Sequence, residues 1–150
     1  MKIIRVTESN MREAGKIHAE SWKESHKSFC SEEFVARHTK EAQTEYIRSE
    51  MAKGKTFYML IDHMPVGIVS VHNSLIENLY ILPAEQRKGY GTVLLQYALQ
   101  QCSGIPSLWI LSNNERAGAF YKKHGFAASG KRKPLRNELF EAELVLSSER

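Results

Sequence analysis

From Pro83 to Thr92 the chain reads Pro-Ala-Glu-Gln-Arg-Lys-Gly-Tyr-Gly-Thr, a short run of cations and glycines ahead of an amphipathic stretch. Residue types in this order suit an anion. The first turn of a helix has N–H groups without intrahelical partners, and the helix dipole places about half a positive charge there. Glycine lets the backbone turn with positive φ and approach a ligand closely. Arg87 and Lys88 add full charges, so a pyrophosphate is the natural guest. The run is not a nucleotide P-loop, because no Gly-Lys-Ser/Thr closes it. It is not the dinucleotide fingerprint, because the third glycine would fall at Leu94. Two further sites carry polar chemistry in apolar settings. Glu77 interrupts the apolar run Ile76–Leu82, where a charge is costly unless used or paired. Tyr121 edges a helical stripe made with Ala117, Phe120 and His124, which by itself reads as core.

These residues need elements to hold them. Ile76–Leu82 reads as a strand bounded by Pro83, and strict alternation puts Glu77 on the side of Leu79 and Ile81. A helix is expected from about Thr92, with Leu95, Ala98, Leu99 and Cys102 on one face. Upstream, residues 2–6 read as a strand. Asn10 with Glu13 resembles a capping box for a helix bearing Ala14, Ile17, His18, Ser21, Trp22 and Ser25 on one side. Ser31 and Thr39 cap two more helices, the second carrying Tyr46, Ile47 and Met51 inward and ending at Gly54. Lys55–Ile61 and Val66–His72 form a hairpin about the turn Asp62-His63-Met64-Pro65. Downstream come a short strand, Leu108–Leu111, and a helix capped by Asn113 or Asn114 that ends before Gly125. Two last strands follow, Phe126–Gly130 and Glu138–Leu146. The order gives one mixed α/β domain over residues 1–150, helices covering a central sheet.

Bulk properties bound the function. The length of 150 residues fits one domain, 42% hydrophobic and 25% charged residues are ordinary for a soluble protein, and a net charge of +4 permits an anionic ligand without demanding nucleic acid. Cys30 and Cys102 are far apart and form no C-x-x-C, which favours a reducing compartment. No run is apolar enough for a membrane span, and the N-terminus turns polar too soon for a signal peptide, so a cytoplasmic protein is expected. The histidines show no paired metal spacing, and no metal is expected. The basic run Lys131–Arg136 reads as a solvated hairpin loop or as a contact for an acidic partner. Without a recognition-helix motif it does not make a nucleic-acid binder.

Gln86-x-x-Gly89-x-Gly91 behind a strand and a Pro-Ala-Glu turn resembles the acetyl-coenzyme A signature of the GNAT superfamily of N-acetyltransferases. Asn114, Ala117, Phe120, Tyr121, Gly125 and Phe126 are similar in spacing to that family's downstream signature, in the expected order. The likeness covers residues 55–146 well, and the first fifty or so only in helical layout. It implies a GNAT fold: a mixed, mostly antiparallel sheet of about seven strands, flanked by helices and splayed between the fourth and fifth strands. The resemblance further implies acetyl-coenzyme A as cosubstrate. The backbone of Leu79, Tyr80 and Ile81 would hold the acetyl group and pantetheine arm. The amides of Arg87, Lys88, Gly89, Tyr90, Gly91 and Thr92 would cradle the pyrophosphate. Asn114 would bond the pantetheine or shape its wall, and Tyr121 would lie near the sulfur.

Such a reaction needs a neutral amine, a stabilised oxyanion and a proton for the leaving thiolate. Tyr121 is the acid: a phenol with pKa near 10 stays protonated at neutral pH and can donate to a thiolate with pKa near 8.5. A backbone N–H near Tyr80 or Ile81 would serve the oxyanion. Glu77 would be the base, directly or through a water, or else a glutamate ion-paired to Lys or Arg; His72 and His26 are alternatives. Trp22 is either a wall of the acceptor site or core. The acceptor is a primary amine of a small molecule, peptide or protein, and because the family commonly dimerises a homodimer is among the expected states. The rival reading is a non-catalytic acyl-coenzyme A sensor on the same fold, against which the presence of Tyr121 argues.

Overall fold

The structure, a computed structural model, describes residues 1–28, 30–135 and 138–147. Its strands are β1 (Lys2–Arg5), β2 (Thr56–Ile61), β3 (Pro65–His72), β4 (Leu75–Ile81), β5 (Ser107–Leu111), β6 (Phe126–Pro134) and β7 (Phe140–Leu146). Its helices are α1 (Met11–His26), α2 (Glu32–Ala36), α3 (Lys40–Ala52), α4 (Tyr90–Gln101) and α5 (Glu115–Lys123). The strands form one seven-stranded sheet in the order β1-β2-β3-β4-β5-β7-β6. Every neighbouring pair is antiparallel except β4–β5, which is parallel.

Helix ends follow the local chemistry. Ser31 accepts from Phe34 N–H and Thr39 from Ala42 N–H, each satisfying an orphan donor of the first turn. Gly54 and Gly125, at φ 105° and 93°, end α3 and α5 in the left-handed region that only glycine enters without strain. Asn10 departs from the expected capping box. Its Oδ1 accepts from Thr7 N–H and its Nδ2 donates to Arg5 O, so it braces the turn out of β1 instead of capping α1.

The two faces of the sheet carry separate cores. Leu94, Leu95 and Ala98 of α4 pack on Tyr58, Leu60, Val69, Val71, Ile76, Leu108, Phe126 and Leu144, with Phe120 and Tyr121 of α5 at the margin. The opposite face packs Phe57, Met59 and Ile68 against Ala14 and Ile17 of α1 and Ile47 of α3. A fully buried leucine or isoleucine contributes about 2–3 kcal/mol, which fixes both helical layers to β1–β4. The basic run expected as a loop is partly strand: β6 extends through Lys131, Arg132 and Lys133 to Pro134, paired to β7 as far as Phe140, with Arg136 outside the described residues. A register shift between Ala128 and Arg132 absorbs the mismatch, which lets the strand run beyond the glycine at 130.

Candidate active site between β4 and β5

The parallel pair is joined at one step, Leu75 to Ser107, reinforced by Ser107 N–H to Ser74 O at 2.8 Å. Beyond it the strands part. Backbone phase follows from the neighbouring bonds. Leu82 N–H reaches Val66 O at 2.9 Å, so Leu82 and Tyr80 turn their backbone to β3, while Leu79 and Ile81 turn theirs into the gap. On the far side Ser112 N–H bonds Phe140 O, which leaves Trp109 and Leu111 facing the gap.

The gap opens into a cleft of about 600 Å³ whose lining includes Leu79, Ile81, Gln86, Gly91, Asn114 and Tyr121. Thus the strand, the glycine loop and the α5 motif, far apart in sequence, meet at one place. Gln86 donates from Nε2 to Ile81 O at 3.1 Å and Ser21 Oγ donates to the same oxygen at 3.1 Å, tying the loop and α1 to the end of β4. Ser21 and Leu111 also line the cleft; sequence reasoning missed them as site residues, although Ser21 stood on the inward stripe of the first helix, while His26, an alternative base, and Phe120 of the α5 motif line it too.

At the mouth, α4 begins two residues before the sequence suggested, with Gly89 at φ 87° as its N-cap and no side chain capping the first turn. A Cβ on Gly89 would meet nothing within 4 Å among the described residues, so the glycine is there for its backbone angle. Arg87 too is left-handed, at φ 65°. The first-turn amides of Tyr90, Gly91 and Thr92 have no helical acceptor. Side chains nearby are engaged elsewhere: Lys88 pairs with Glu85 at 3.2 Å, Thr92 Oγ1 meets His124 Nε2 at 3.2 Å, and Tyr90 donates to Asp62 at 2.6 Å. The bond to Asp62 pushes the Tyr90 phenol up to about 12.

Asn114 caps α5, its Oδ1 accepting from Ala117 N–H at 3.1 Å, and borders the cleft. Tyr121 packs edge-on against Phe120 and Phe126. Burial raises its pKa, which holds the proton on the phenol, and its hydroxyl makes no hydrogen bond among the described residues.

Glu77 and Tyr80 sit elsewhere. Asn78, at φ 55°, forms a bulge where the β3–β4 register shifts, so Glu77 pairs with Ser70 and Tyr80 with Ile68. The extra residue breaks the expected alternation: Glu77 lies on the α1/α3 side, opposite Leu79 and Ile81. Its carboxylate pairs with Lys55 Nζ at 2.6 Å, and Lys55 also pairs with Glu50. Tyr80 likewise turns to that side, its ring 4.8 Å from His18. There His18 Nε2 meets Asn78 Oδ1 at 3.2 Å, Gln43 Nε2 donates to His18 Nδ1 at 2.8 Å, and Asn78 Nδ2 donates to Ser70 Oγ at 3.0 Å. This buried network pins the bulge.

A family model described as an acetyltransferase (GNAT) domain matches residues 52–128. Comparison with curated protein sequences finds no match. Among solved structures, the chain is similar to the PaiA N-acetyltransferase of Thermoplasma acidophilum in complex with coenzyme A, at 22% identity and TM-score 0.70 over 95% of this chain and 96% of that one. It is similar to apo YjaB from Escherichia coli, at 23% identity and TM-score 0.71 over 96% and 95% of the two chains. It is also similar to YncA from Salmonella typhimurium with its cofactor acetyl-CoA, at 15% identity and TM-score 0.70 over 98% and 93%. No described helix is long and apolar enough to cross a membrane. The family match spans more than half of the chain, including the split sheet between β4 and β5, and the chain belongs to the GNAT acetyltransferase family.

Proposed function

We propose that the protein is an acetyl-coenzyme A-dependent N-acetyltransferase that moves acetyl directly to a primary amine. The observation that carries this reading is the Tyr121 hydroxyl, protonated and without a hydrogen bond among the described residues, in a cleft whose mouth is the uncapped N-terminus of α4. The donors at that mouth fit a pyrophosphate, and the gap-facing backbone of Leu79 and Ile81 fits an extended arm bearing amides. The Ile81 carbonyl is already taken by Ser21 and Gln86, so its N–H is the free gap-facing group at that residue and serves the developing oxyanion.

The amine nitrogen bonds the thioester carbonyl carbon, the carbon–sulfur bond breaks, and the thiolate takes the phenolic proton of Tyr121. The proton lost by the amine leaves through a water toward Glu77, half-exposed on the opposite face, and Tyr121 is reprotonated from solvent. No cysteine is needed: the Cys102 thiol is half-buried, raised in pKa by burial, and donates to Ala98 O. The chain's cysteine usage and composition support a cytoplasmic setting and action through one domain spanning residues 1–150.

Thiol release from acetyl-coenzyme A over a panel of amines tests the reading, with wild type and Tyr121→Phe side by side. Turnover with a roughly hundredfold lower kcat in the variant and unchanged coenzyme A affinity by calorimetry is expected. Tight coenzyme binding with equal rates in both proteins would remove Tyr121 as the acid. Absence of turnover with tight binding would turn the reading to an acyl-coenzyme A sensor.

A further inference from the structure

On the side of the sheet away from α4 and α5, helices α1 and α3 pack over β1–β4. Past β4 that face holds Trp109 of β5, Glu143 of β7 opposite it, and Lys133 of β6 opposite Glu141. Lys133 lays its ammonium 4.1 Å from the centroid of the Trp109 indole, and that ring is its one partner among the described residues. Glu77 lies on the same face of the sheet as Trp109, its carboxylate held by Lys55. Each lies two residues beyond the single β4–β5 pairing, and their predecessors Ile76 and Leu108 both enter the core on the other side. One oxygen of Glu77 is buried and accepts no hydrogen bond of good geometry, its contact being the ion pair with Lys55.

A side chain of this protein thus shows what the ring receives: a primary ammonium at the end of an unbranched alkyl chain. The indole face attracts it through its quadrupole, and the carboxylate of Glu143, opposite Trp109, supplies countercharge. Lys133 is exposed and long, so it can swing away. We propose that this face binds the acceptor as an unbranched primary alkylammonium, seated on Trp109 in the place Lys133 occupies. The backbone of Trp109 faces the β4–β5 gap, so an amine held on its ring lies at the edge of the opening through which it would meet the acyl group. Glu141 and Glu143 disfavour an amine with a carboxylate beside it, which sets free α-amino acids apart from diamines and lysine side chains. As an acceptor site the assignment rests on the acetyl-transfer reading; as a cation site it does not.

Binding is therefore measured without acetyl-coenzyme A. The chain has two tryptophans, Trp22 and Trp109, and emission can be followed during titration with cadaverine, with Nα-acetyl-lysine methylamide, and with 1-pentanol as the neutral control. A saturable change with an ammonium compound and none with pentanol is expected. The change should vanish in Trp109→Phe, and the apparent affinity should rise about threefold to tenfold in Lys133→Met, where the competing cation is gone. Saturation by both ammonium compounds assigns the site to alkylammonium groups whatever carries them; saturation by the lysine amide alone assigns it to peptide lysines. No saturable change, an equal response to pentanol, or unaltered affinity in Lys133→Met overturns the proposal. So does an emission change that follows protein concentration without amine, which would give the face to a second copy. Binding here with no amine turned over would leave this site standing and sink acetyl transfer; turnover with no binding here would do the reverse.

Discussion

Acidification should destabilise this protein through His18. The ring is 4% exposed, wedged between α1, α3 and the bulge of β4. Gln43 donates to Nδ1, so Nε2 carries the proton and donates to Asn78. A second proton would have to displace the Gln43 donor and be held without solvent. Burial accordingly lowers the pKa from 6.5 to about 4, with His38 and His26 adding to the effect. Between these values the unfolded chain binds a proton that the folded chain does not, so stability is fully present above about 6.5 and is lost as pH falls toward 4. In full the difference is worth about 3 kcal/mol, of which about 2.5 kcal/mol is gone by about pH 4.5. Urea unfolding of wild type and His18→Gln at several pH values between about 7.5 and 4.5 isolates this contribution, because the glutamine does not titrate. The wild type should lose about 2.5 kcal/mol more than the variant. Equal pH slopes would refute the reasoning, since they would mean that the buried ring accepts its second proton as readily as an exposed one.

Two further perturbations test the packing and the loop. A Cβ at Gly15 would overlap Thr44 Oγ1 and stand 3.0 Å from Lys40 O, so Gly15→Ala should force α1 from α3 and cost about 1–3 kcal/mol, read by chemical denaturation. Gly89→Ala meets no crowding but must hold φ 87°. It should cost about 1–2 kcal/mol in thermal unfolding and weaken coenzyme A binding several-fold in calorimetry, because the first-turn amides lose their aim.

How far the sequence carries depends on how local each feature is. Turn chemistry is local, and it located the hairpin about Asp62, the caps at Ser31 and Thr39, and the glycines closing α3 and α5. The glycine loop and the α5 stripe were legible because spacing alone defines them, and the fold brings both to one cleft. Glu77 was misplaced because alternation assumes an unbroken pleat. The bulge that turns it over is held by His18, Gln43 and Ser70, which come from three other elements. One signal was available: an asparagine, which tolerates the left-handed region, inside an apolar strand. Asn10 misled for a related reason, since its side chain served the preceding turn rather than the following helix. Lys131–Lys133 read as loop because charge is a poor guide to an outer strand, where cations on an unpaired edge are common.

The single paired step between β4 and β5 gives this sheet something sheets otherwise have only at their rims. Leu79 and Ile81 on one bank, and Trp109 and Leu111 on the other, form two interior borders whose backbone groups look at each other across a gap. A border of that kind on the outside of a protein invites any extended chain to dock. Here α1 stands over one end through Ser21, and α5 flanks the other through Asn114 and Tyr121. A guest lying lengthwise with amides of its own would find backbone partners on both banks. An affinity for amides is thus lodged in the main chain itself, before any side chain in the cleft is consulted.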